Sequence, residues 1–132
     1  MPTRRSWVQV PLPAPNKINM KEDLSKKKCV PCEGNIPAFD YSEIHKYLKK
    51  VDGWEVLKNE DENYFLIKEF KFKNFKDSQT FVNNVGNIAE MENHHPDISF
   101  GWGYAKIKIF THAINGLAES DFILASKIDK IN

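Results

Sequence analysis

The chain predicts an α+β domain, a four-stranded antiparallel sheet with three helices packed on one face, in the order α-β-β-α-β-β-α. Three observations carry that expectation. Apolar residues recur at helical spacing in three stretches and at alternate positions in the segments between them. Connections between consecutive strands are short, and parallel crossovers need about a dozen residues or more, so the pairing is antiparallel. The strands alternate apolar with polar residues instead of running apolar throughout, which is the pattern of a sheet covered on one face.

Taken in order, Asp40-Tyr-Ser-Glu43 has the form of a capping box, with the aspartate as N-cap and the glutamate three positions on. Ile44, Tyr47, Leu48 and Val51 follow at helical spacing, and Gly53 suits the stop. Two extended segments come next, Trp54 to about Asn59 and Tyr64 to Lys73, joined by the polar turn Glu60-Asp-Glu-Asn63. In the second, Phe70 and Phe72 alternate with Glu69, Lys71 and Lys73. Asn74 caps a helix running to roughly Glu92, with Phe81, Val82, Val85, Ile88 and Ala89 as its apolar stripe. Gly86 costs that helix about 1 kcal/mol relative to alanine, which close approach of another helix or subunit would offset. After Pro96 alternation returns: Ile98, Phe100, Trp102 and Tyr104 are expected on one face of a third strand, turning near Gly103 into a fourth from Lys106 to Thr111. Trp54 and Trp102 both read as core residues. Leu124, Ala125, Ile128 and Ile131 then form the stripe of the last helix.

The 132 residues make one domain with a sizeable core. Residues 1–37, punctuated by proline and asparagine, read as a largely irregular extension, and residues 38–132 as the folded domain. A net charge of +1 gives no electrostatic case for nucleic acid as the main partner. No apolar run approaches the roughly 18 residues of a membrane span. Arg4 and Arg5 are followed by prolines 11, 13 and 15 instead of an apolar stretch, so no secretory signal is expected. The absence of acidic residues before Glu22 leaves a mitochondrial leader open, but Ser and Arg are too few to favour one, and the cytoplasm is the default compartment. Cys29 and Cys32 form a lone C-x-x-C after a lysine run. Structural zinc needs four ligands and a redox motif sits between strand and helix, so these read as a structural or incidental pair, thiols in a reducing compartment.

The chemistry concentrates in Glu90-Met-Glu-Asn-His94-His95-Pro96, with His112 and Asp121 beyond it. Histidine titrates near neutrality and both gives and takes protons there. Three of the four histidines fall within nineteen residues, each at the end of a predicted element, where clefts form. Pro96 biases His95 toward extended backbone. Asp121, in the first turn of the last helix, is placed to orient a ring nitrogen. His45, on a charged helix face, is expected in solvent. A metal set from His94, His95, His112 and a carboxylate competes with this reading. However, no H-E-x-x-H pattern is present and adjacent histidines rarely aim both rings at one ion, so no metal is expected. Surface-turn histidines and a solvated Glu90 are the bland alternative.

Laid out as Glu90-x3-His94-His95-Pro96-x5-Trp102-x9-His112-x8-Asp121, this string resembles the signature of the pterin-4a-carbinolamine dehydratases. Gly53-Trp54, the Phe70–Phe75 stretch and Cys29-Val-Pro-Cys32-Glu-Gly-Asn-Ile-Pro37 resemble the family as well, over roughly residues 22–130. The resemblance implies the fold derived above, and dehydration of 4a-hydroxytetrahydropterin to the quinonoid dihydropterin without metal or other cofactor. It implies His94 and His112 as the proton-transfer pair, His95 as a pterin-binding and polarising group, and Glu90 as an assisting carboxylate. Trp54 and Asp121 would shape and orient the pocket. It further implies a homodimer or homotetramer. In some members there is also a transcription-factor partner, with the nucleus as an alternative location. Ser120 stands where some members place arginine, and Trp102 where others have tyrosine.

Overall fold

In the computed structural model, residues 23–28 and 37–131 are described. Cys29, Cys32 and the first twenty-two residues lie outside them. Three helices, α1 (Tyr41–Leu48), α2 (Phe75–Glu92) and α3 (Glu119–Lys130), alternate with two hairpins, β1 (Glu55–Lys58) with β2 (Tyr64–Lys71), and β3 (Asp97–Gly101) with β4 (Tyr104–Ile109). The order is the expected α-β-β-α-β-β-α. All pairings are antiparallel, and the sheet runs β1-β2-β4-β3, so the two hairpins meet along β2 and β4.

The caps are those read from the sequence. Asp40 Oδ1 accepts the Glu43 amide at 2.9 Å, and Asn74 Oδ1 accepts that of Asp77 at 2.8 Å. Each satisfies one of the amides that a helix start leaves without an internal partner. The first helix stops at Leu48, short of Gly53, which instead takes a positive φ in the turn into β1.

Register then decides which residues face the helices. The pairs Leu66–Ile109, Phe70–Ala105 and Ile98–Ile107 point inward, and Leu66, Phe70, Ala105, Ile107 and Ile109 are buried against Val85, Phe122, Leu124 and Ile128. The alternate residues Glu69, Lys71, Lys106 and Lys108 line the opposite face.

Trp102 corrects the expected alternation. The hairpin joining β3 to β4 uses two residues, Trp102 and Gly103, so Trp102 leaves the sheet and its surface is 70% exposed. Tyr104 then opens β4 on the open face, opposite Lys71 and Gly101. A Cβ on Gly101 would come within 2.8 Å of the Tyr104 ring. A single-face run of Ile98, Phe100, Trp102 and Tyr104 is thus broken by the turn. Among the described residues Gly86 has no close neighbour, since a Cβ there would meet nothing within 4 Å.

Part of the expected extension belongs to the core. A 3-10 turn, Leu24–Lys26, lies against α3, with Leu24 buried in the main apolar cluster. Lys27 pairs with Glu119 at 2.6 Å, and Lys127 Nζ donates to the Ser25 carbonyl at 2.9 Å. The Ser25 hydroxyl on Asp23, which caps this turn, holds that carboxyl below its ordinary range.

Candidate active site

The exit of α2 is built by backbone. Asn93 adopts the left-handed conformation, φ 53° and ψ 42°. Its amide bonds the Glu90 carbonyl at 3.2 Å, and that of His94 bonds Ala89 at 3.0 Å. These two bonds make a Schellman motif, with asparagine where glycine is commonest. They close the helix and fix the direction in which His94 leaves it. Lys127 reaches Glu92 at 3.4 Å, tying this helix end to α3.

His94 then meets the start of α3. Its Nε2 lies 2.8 Å from Asp121 Oδ1. The Asp121 side chain has no solvent exposure, and that of His94 retains 13%. Asp121 Oδ2 accepts two further hydrogen bonds, from the Thr111 hydroxyl and from the Ala118 amide, each at 2.8 Å. The second is the reach-back half of a capping box on α3; Ala118 has no side-chain oxygen for the other half.

The Thr111 hydroxyl and the Ala118 amide fill Oδ2, and a carboxylate only accepts, so an ionised Asp121 takes its third hydrogen bond from His94 Nε2–H and leaves Nδ1 for chemistry. An aspartate fixing the tautomer of a histidine in this way orients a general acid or base.

His95 is held differently. Its Nε2 lies 3.1 Å from Glu90 Oε2, but the two side chains are 54% and 80% exposed. Solvent screens such a pair, which restrains the ring only loosely.

His112 begins a 3-10 turn, His112–Ile114, one peptide unit (about 3.8 Å) beyond Thr111. Its ring is exposed and packs on Phe110 with 4.3 Å between centroids. The loop carrying it is closed at its base by a bridge, Thr111 N to Gly116 O at 2.8 Å.

Of the residues singled out from the sequence, the fold joins His94 to Asp121 and His95 to Glu90, and it roots the His112 loop on the same aspartate through Thr111. Trp54 stands elsewhere. It is buried, its indole N–H donates to both oxygens of Asp129 at 3.1 Å, and Lys68 reaches the same carboxylate at 2.8 Å. Asp129 is eight residues past Asp121 on α3, about 12 Å along the axis. His45 is exposed on α1, and its ring faces Tyr41. Sequence reasoning passed over Thr111, Ala118 and Asn93. A hydroxyl beside a strand-end histidine, and an asparagine just past a helix, were the available signals. Among the described residues no three histidine, cysteine, aspartate or glutamate groups gather as a metal set would.

An α+β sheet-and-helix domain with a buried aspartate–histidine pair is a scaffold suited to moving protons. The family profile described as Pterin 4 alpha carbinolamine dehydratase matches residues 37–131, and the chain belongs to that family. A protein of Rubrobacter xylanophilus assigned as a pterin-4-alpha-carbinolamine dehydratase is 48% identical over 109 residues, covering 83% of this chain and 98% of its own length. One of Rickettsia canadensis with the same assignment is 46% identical over 107 residues, covering 80% and 94%. Among solved structures, a transcriptional coactivator/pterin dehydratase from Brucella melitensis superposes with a TM-score of 0.64 at 29% identity, over 71% of this chain and 97% of that one. A pterin dehydratase-like RuBisCO assembly factor of the alpha-carboxysome shares the fold, with a TM-score of 0.51 at 21% identity, over 60% of this chain and 88% of that one.

Proposed function

We propose that this protein removes water from 4a-hydroxytetrahydropterin by histidine general acid–base catalysis, as a step in recycling the pterin after hydroxylation reactions. The observation that carries the reading is the buried Asp121–His94 pair in a chain of this family. The reaction needs one proton delivered and one collected. An acid protonates the 4a hydroxyl, the carbon–oxygen bond breaks, and water leaves with the bonding pair. The neighbouring ring nitrogen forms a double bond to that carbon and gives its proton to a base. Positioned groups of this kind contribute about 10²–10⁴-fold.

In this reading His94, through Nδ1, and His112 are the proton-transfer pair, and Asp121 orients His94. His95 binds and polarises the pterin with Glu90 behind it. No cofactor takes part. Trp54, engaged by Asp129, is assigned to holding β1 and β2 against α3 and not to touching the pterin. Assembly as a homodimer or homotetramer in the cytoplasm belongs to the same reading, and the described residues leave room beside Gly86 on α2 for another subunit.

The alternative is a non-catalytic dimerisation cofactor or protein-interaction module; the Brucella protein is described as a transcriptional coactivator as well as a pterin dehydratase. Turnover separates the two. Purified protein should accelerate loss of a hydroxylase-generated 4a-carbinolamine well above buffer, with or without chelator. A rate equal to buffer sinks the dehydratase reading, and a rate lost on chelation and restored by zinc sinks its metal-free form.

A further inference from the structure

We infer that the Thr111 hydroxyl is a positioning group that couples the two proton-transfer histidines, an inference that rests on the function proposed above. Asp121 Oδ2 receives Thr111 Oγ1–H and the Ala118 amide at 2.8 Å each, while Oδ1 is left to His94 at 2.8 Å. Two donors on one oxygen fix the rotation of the carboxylate, so the other oxygen points at the imidazole. Thr111 and Ala118 are also the two ends of the loop that carries His112, and the Thr111–Gly116 bridge closes its base. One carboxylate therefore sets the tautomer of His94 and pins the segment bearing His112. Of its three donors, Thr111 is the one adjacent to that histidine. Thr111 is itself buried, so no water stands ready to replace its hydroxyl.

The test uses the full chain with Thr111→Val, which keeps the branched shape and removes the donor, and Thr111→Ser, which keeps the donor. Thr111→Val should lower kcat about tenfold with KM within about twofold, since small losses of alignment at reacting groups fall on the chemical step. Thr111→Ser should return to within about threefold of the parent, because the charge-assisted bond is retained. Imidazole ¹⁵N spectra supply a readout that general loosening would not move. The parent should show His94 protonated at Nε2 when neutral, the valine variant a mixture of tautomers, and the serine variant the parental pattern. Parental kcat and ring signals in the valine variant would overturn the inference, as would a serine variant as impaired as the valine one. Should valine not fold, Thr111→Ala carries the same expectations, and the serine variant alone still decides between hydroxyl and methyl. The ring spectra need no turnover. A parent that does not dehydrate the carbinolamine defeats the proposed function while leaving the Thr111 contact separately readable.

Discussion

His94 and His95 are neighbours in the chain, and each ring nitrogen sits about one hydrogen bond from a carboxylate, 2.8 Å and 3.1 Å respectively. The two pairs are nonetheless different devices. Asp121 is sealed from solvent and anchored by two donors besides the histidine, so its position is set before a ligand arrives. Glu90 projects from the last turn of α2 into water, and its hold on His95 competes with solvent. The contrast teaches that contact distance does not rank these pairs. The number of donors on the carboxylate and the exclusion of water do. A fixed ring suits a group that must transfer a proton along one line, and a loosely held ring suits one that closes on a ligand.

The largest effect should come from Asp121→Asn. Two donors meet at Oδ2, so the amide oxygen must turn to that site and the NH₂ faces His94. Its Nε2 then has to accept, the proton moves to Nδ1, and the reactive nitrogen is blocked. Steady-state rates should show kcat reduced about 10²-fold or more, within the range that general acid–base groups supply. Rates within a few-fold of the parent would mean that the buried pair is structural only.

Asn93→Ala comes next. Alanine in the left-handed conformation costs about 1–2 kcal/mol, so denaturant melts should show a loss of that order with a smaller fall in rate as His94 shifts. Asn93→Gly, which enters that region freely, should keep both. If alanine is as stable as the parent, the Schellman closure is not what aims His94.

How much of this was legible beforehand follows the same division. Glu90, His94, His95, His112 and Asp121 stand out because residue type and spacing reveal chemistry, and both helix caps announce themselves through side chains next to periodic apolar runs. The contribution of Thr111 was legible only as a hydroxyl beside a strand-end histidine, because its contact with Asp121 spans ten residues and only the closure of the β4–α3 loop creates it. Asn93 was missed because helix ends are written in backbone angles. Trp102 misled because period-two alternation carries on through a two-residue turn as if no turn were there. Leu24 was hidden in a polar, proline-bearing region with no periodicity, and only its fit against α3 makes it core.

The smallest effects belong to the exposed pair. Glu90→Gln should change stability by no more than about 1 kcal/mol, the usual ceiling for exposed ion pairs. Its effect on KM should exceed that on kcat, and the same shift should appear in the parent at about 1 M salt, where the screening length falls to about 3 Å. A large loss of kcat in this variant would erase the distinction between the pairs.

The most direct comparison is single-turnover dehydration of 4a-hydroxytetrahydrobiopterin by the parent, Asp121→Asn and Glu90→Gln proteins, each shown to be folded by its thermal melt. The account predicts a rate at least about 30-fold lower for Asp121→Asn than for Glu90→Gln, given what a misoriented general acid or base loses. Equal rates for the two variants, or the reverse order, would contradict it.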